Sequence, residues 1–165
     1  MFRKHSGRLS KYLAILLTVF VMLTNIAGTA FATDSEIIAQ QLGGAYNSIK
    51  SALGGDRHHC FAGEVYDSTY VYKFDANRNV TGYVTRDTGP CVLMTKADHQ
   101  KTASWGSSTA AKAYRAQQLE LVKQGRHLAA MQMDINDIRS KFGSKYNTAI
   151  SKMWTYATGT LGWSK

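Results

Sequence analysis

Three consecutive residues, His58-His59-Cys60, carry the most reactive side chains in the chain. Two imidazoles beside a thiolate can ligate zinc, copper or haem iron. The spacing argues against that use. Adjacent side chains rarely converge on one ion, and structural zinc sites separate paired ligands by roughly two to five residues. A second segment would have to complete the set, and His99 and His127 are the only other histidines after residue 32. His58 and His59 are the candidates if a metal is held. The expectation is no metal and no cofactor.

The same residues admit a cysteine nucleophile with His99 or His127 as its base. No local motif supports it. The chain has no Gly-x-Ser-x-Gly, no His-Glu-x-x-His and no phosphate-binding glycine loop. A non-enzyme is therefore expected. The alternative is an exported metal- or haem-binding protein using His58 and His59, or a small exported hydrolase.

Cys60 and Cys91 are the only cysteines. Residues 1–32 read as a secretory signal, which makes a disulfide the expected state of the pair. Arg3, Lys4, Arg8 and Lys11 form a basic start, Leu13 to Leu23 an uncharged apolar run, and Ala30-Phe31-Ala32 a small-x-small cleavage site. The protein is thus expected to be exported, periplasmic or secreted, with residues 33–165 as one small domain. A Cys60–Cys91 bridge would close a loop worth about 3.7 kcal/mol on the chain-entropy model.

The elements that must position these residues follow from periodicity. Ile38, Leu42, Ala45, Ile49 and Ala52 form one helical stripe, predicting a helix over 35–53 capped by Asp34 or Ser35. Gly43-Gly44 inside it either weakens the helix or lets another backbone approach closely. Residues 60–95 read as a β-hairpin or small meander between the cysteines. Its strands run Gly63 to Asp75 and Val80 to Thr88, with the turn at Asp75-Ala76-Asn77-Arg78-Asn79 and a third strand available at Cys91 to Thr95. The even positions Tyr66, Tyr70, Tyr72 and Phe74 share a face that is expected to be core. Tyr83, on the other face, is the candidate for exposure and partner contact. Helical spacing from Ala110 to Phe142 and from Tyr146 to Ala157, with Ser107 or Ser108 as cap, a soft point at Gly125 and a break at Gly143-Ser144, predicts helices over 108–157. The fold class is α+β: an N-terminal helix, a disulfide-bracketed β-hairpin or meander, and a helical C-terminal half packed as a small bundle.

Charge is uneven. Residues 33–100 carry 6 basic and 8 acidic groups, and residues 101–165 carry 10 and 3. Lys112, Arg115, Lys123 and Arg126 fall on one side of the predicted long helix, opposite its apolar stripe, and Asp134 and Asp137 dilute that side further along. Such a face suits an anionic surface, either membrane or acidic polymer, or an acidic protein partner. Nucleic acid is not expected. The layout suits a non-catalytic interaction protein, such as a small subunit of an envelope or secretion assembly, working through the basic helix, the aromatic hairpin or both.

Overall fold

The computed structural model describes residues 33–49 and 54–164, so the expected signal segment and the end of the expected first helix lie outside the described residues. At the centre is β5, Pro90–Met94, in which every residue is buried. A continuous apolar run of that length suits a strand covered on both faces. β1, Gly43–Ala45, and β2, Asp56–His59, pair antiparallel on either side of it, in the order β1-β5-β2. Val92 and Met94 belong to the larger core, with Met131, Ile135, Ile138, Ile150 and Met153. Cys91 and Leu93 belong to a smaller one with Ile37 and Ile49.

The expected helix over 35–53 does not form. α1 covers only Asp34–Ala39, and its cap is Thr33, whose hydroxyl accepts from the Glu36 amide while Glu36 accepts from the Thr33 amide at 2.7 Å. The chain then turns at Gln41, with φ of 44°, into β1. Close backbone approach is the use of Gly43. A Cβ there would overlap the carbonyl oxygen of Ala149, on the helix that packs across β1. α1 packs on β5.

The segment between the cysteines also departs from a single hairpin. Gly63–Ser68 is a helix, α2, although Val65 and Tyr66 favour strands. Burial decides it: Val65 enters the core and the Tyr66 ring stacks on Phe61 at 4.9 Å. The hairpin proper is β3, Val71–Phe74, with β4, Val80–Val84, a separate two-stranded ribbon. Its turn lies where expected. The Asp75 carboxylate accepts from the amides of Asn77 and Asn79, both at 2.9 Å. The tail, which has no sequence period, pins the ribbon in place. The Phe74 amide donates to the Leu161 carbonyl and the Trp163 indole to the Tyr72 carbonyl, and both Leu161 and Trp163 are buried.

The C-terminal half is helical, as its periodicity predicts. α3 is Lys96–His99, α4 is Thr109–Lys123, α5 is His127–Phe142 and α6 is Asn147–Thr155, continued by a π-turn at Tyr156–Thr160. Ser108 caps α4 through a hydrogen bond from the Ala111 amide. The soft point at Gly125 is a full stop. Gly125 has φ of 74°, its amide donates to Val122, and the Arg126 amide donates to Leu121, which is a Schellman closure. α4 and α5 therefore pack against each other as separate helices. The result is mixed α/β, with small sheets and helices concentrated in the second half. Among the described residues, no helix is long and apolar enough to cross a membrane.

Candidate functional site

The two cysteines are free thiols, which overturns the expected disulfide. The register gives the reason. His59 lies opposite Cys91, so those two side chains share a face of the sheet, and Cys60 points to the other. Cys60 belongs to the larger core and Cys91 to the smaller one. The backbone between them prevents the sulfur atoms from meeting.

The same alternation separates the adjacent histidines. The His59 ring stacks on Tyr46 at 4.3 Å, and its Nε2 meets the Arg86 carbonyl at 2.8 Å. His58 points inward with Cys60. Opposite them, from α5, comes Asp134, a residue whose role the sequence reading missed. His58, Cys60 and Asp134 are all buried, and one candidate ligand atom from each lies within 4.8 Å of the others. His58 Nε2 is 3.8 Å from Asp134 Oδ1, too long for a hydrogen bond, and has no partner among the described residues. The carboxylate itself is held. Tyr114 donates to Oδ1 at 3.1 Å, and Gln118 Nε2 donates to Oδ2 at 2.7 Å. Gln118 in turn accepts from the Ala62 amide at 3.1 Å, which ties α4 to the chain just after Cys60.

Burial governs the electrostatics of this group. It pushes the Asp134 carboxyl up to about 8, against the pull of the Gln118 and Tyr114 hydrogen bonds. It also pushes the Cys60 thiol well above its ordinary range, with Asp134 adding to the effect. His58 is driven well below the usual imidazole range, first by burial and then by the nearby His99. Burial thus disfavours the charged form of each of the three. A signal for Asp134 was present in the sequence. It stands three residues after Met131 and four before Ile138, on the buried stripe of α5.

The expected basic face is divided. Lys112, Lys123 and Arg126 are exposed. Arg115 is occupied: its Nε donates to Glu64 at 2.6 Å, and its Nη1 donates to the carbonyls of Ser104 and Gly106 at 2.8 and 2.9 Å. It fastens α4 to α2 and to the loop before α4.

Arg126 has a companion that charge spacing along one helix could not reveal. A cleft of about 490 Å³ is lined by Arg78, Arg126, Leu128, Ala129, Gln132 and Trp154 among others. Arg78 comes from the β3–β4 turn and donates to the Ser164 hydroxyl while its guanidinium carbon lies 5.1 Å from the Phe74 ring. Two arginines from separate elements thus line a largely apolar cleft.

The aromatic face expected to be core is split: Tyr66 and Phe74 pack against the core, whereas Tyr70 and Tyr72 join Tyr83 in an outer cluster. Val71 and Val84 pair across the ribbon and are buried, whereas Tyr70 is 71% and Tyr83 59% exposed. Tyr70, Tyr72 and Tyr83 form one outer cluster, with ring centroids 5.2–6.5 Å apart. Tyr83 is exposed, but it shares its face with the even positions. The small Val pair satisfies the core, and the phenolic hydroxyls stay in water.

No protein family, curated protein or solved structure matched this chain.

Proposed function

We propose that this is an exported, non-catalytic interaction protein that holds an acidic, partly apolar segment of a partner protein in the cleft between Arg78 and Arg126. The observation that carries this reading is that two arginines from separate elements line one cleft with Leu128, Ala129 and Trp154. Arginine forks match carboxylate geometry, and an apolar floor with a few converging polar groups is the usual make-up of a binding site. Lys123, exposed on the last turn of α4, adds positive charge three residues before Arg126. The exposed tyrosine cluster on the ribbon offers a second contact area of the kind enriched at interfaces. Export rests on the character of residues 1–32. The non-catalytic reading is supported by the burial of Cys60, His58 and Asp134, which keeps a bulky substrate from the thiol.

The cleft volume also suits a small apolar anion, such as a medium-chain carboxylate. Backbone and indole NMR shifts separate the two. A labelled chain is titrated with a peptide of glutamates around a central leucine, with polyglutamate, and with decanoate. Saturable shifts at Gly125, Arg126, Ala129 and the Trp154 indole with the peptide, and weaker ones with the other two, are the expected result. Saturation by decanoate alone would favour the small-ligand reading, and shifts scattered over all basic residues would refute a cleft site.

A further inference from the structure

We infer that His58, Cys60 and Asp134 bind a divalent transition metal, with zinc the best fit. His58 and Cys60 are two residues apart on an extended stretch, so they share a face, and α5 brings Asp134 against them. This supplies the second element that the adjacent histidines lacked. It also replaces His59, which is engaged elsewhere, with a thiol two positions from His58.

Three features favour an ion over a merely polar pocket. The first is distance. In a tetrahedral zinc site, nitrogen, sulfur and oxygen ligands stand about 3.4 to 3.7 Å apart. His58 Nε2 and Asp134 Oδ1 are already 3.8 Å apart, and the whole set lies within 4.8 Å, so rotamer adjustments of about 1 Å suffice. The second is the buried His58 Nε2, which has no hydrogen-bond partner among the described residues. A buried polar atom of that kind is costly unless something binds it. The third is the support behind the carboxylate. Tyr114 and Gln118 hold the two oxygens in place, as outer partners orient metal-binding carboxylates. Each oxygen keeps a further lone pair for an ion.

The donor set selects the metal. A thiolate disfavours magnesium and calcium, and one sulfur, one nitrogen and one oxygen suit zinc or its substitute cobalt. Binding releases the thiol proton and any proton on the carboxyl. The ion's two positive charges then match one thiolate and one carboxylate, with a neutral imidazole, so the buried site carries no net charge. Three protein ligands leave one tetrahedral position. The His99 ring lies 5.1 Å from His58 and is partly buried.

The test uses the full mature chain, purified with a thiol reductant under anaerobic conditions, and cobalt(II) as the probe. One equivalent should bind, with a thiolate-to-cobalt charge-transfer band and tetrahedral visible absorption. Zinc should displace it one for one. Cys60→Ser should abolish the charge-transfer band, while Cys91→Ser should leave it intact. Tyr114→Phe removes only a support of Asp134 and should weaken cobalt binding roughly 10- to 100-fold. It gives an independent readout if Cys60→Ser fails to fold. Failure of the folded wild type to take up cobalt or zinc would overturn the proposal. So would a charge-transfer band that survives in Cys60→Ser, or unchanged affinity in a folded Tyr114→Phe chain.

Discussion

His127 should make the protein acid-labile by an amount the structure sets. It opens α5, is buried, and stacks on Trp163 at 4.9 Å with an interplanar angle of 14°. Its Nε2 has no hydrogen-bond partner among the described residues. Burial first, and then the charge of Arg78, lower its pKa from 6.5 to about 4, while a backbone hydrogen bond to Gly125 acts in the opposite sense. The unfolded chain therefore binds a proton that the folded one refuses between those two values. The stabilising contribution is complete above about pH 6.5 and is lost as pH falls toward 4. A shift of that size corresponds to roughly 3 kcal/mol over the window. His127→Phe keeps an aromatic ring on Trp163 and removes the titration. Urea melts of both proteins at pH 7, 6, 5 and 4 give the comparison, because carboxylates that titrate in the same range are common to the two. Wild type should lose about 3 kcal/mol more than the variant between pH 7 and pH 4, with most of the difference present by pH 5. Parallel pH profiles would refute the reasoning and mean that the imidazole accepts its proton without leaving the stack.

Gly43→Ala should destabilise the fold by at least 2 kcal/mol in urea melts, since the new methyl meets the rigid backbone of α6 at Ala149. Gly159→Ala, which meets nothing within 4 Å, should change little and serves as the control. Alkylation of the denatured, non-reduced, chelated protein should add two labels, one each at Cys60 and Cys91. An unlabelled mass two hydrogens lighter would restore the disulfide and contradict the sheet register.

What the sequence made legible was local. The Asp75 turn, the Ser108 cap and the helical C-terminal half all rest on short-range hydrogen bonds or a period of 3.6, and all are present. What it hid depended on distant partners. The stripe from Ile38 to Ala52 has helical spacing, but Gly43 is needed for contact with α6, more than a hundred residues on, and β1 forms instead. Tyr66 looked like strand because its partner Phe61 could not be placed beside it. The even-numbered aromatics were expected in the core together, whereas only Tyr66 and Phe74 pack there beside the Val71–Val84 pair, and Tyr70 is exposed with Tyr83. Asp134 read as a flaw in a basic surface, and only the tertiary placement of α5 brings it to His58 and Cys60. Likewise Arg78 and Arg126 are remote in sequence, and tertiary structure alone puts them on one cleft.

The proposed binding cleft is tested most directly by the affinity of a fluorescent peptide of glutamates around a central leucine, measured by anisotropy against wild type, Arg78→Gln/Arg126→Gln and Lys112→Gln. Each guanidinium–carboxylate contact is worth about 1.5 kcal/mol or more, so the double variant should bind at least 100-fold more weakly at physiological salt. Lys112→Gln should match wild type. Anionic vesicles should compete poorly, because the seat is concave and its floor takes an apolar side chain. Equal loss of affinity in the Lys112 variant, or retention of full affinity by the double arginine variant, would contradict the account.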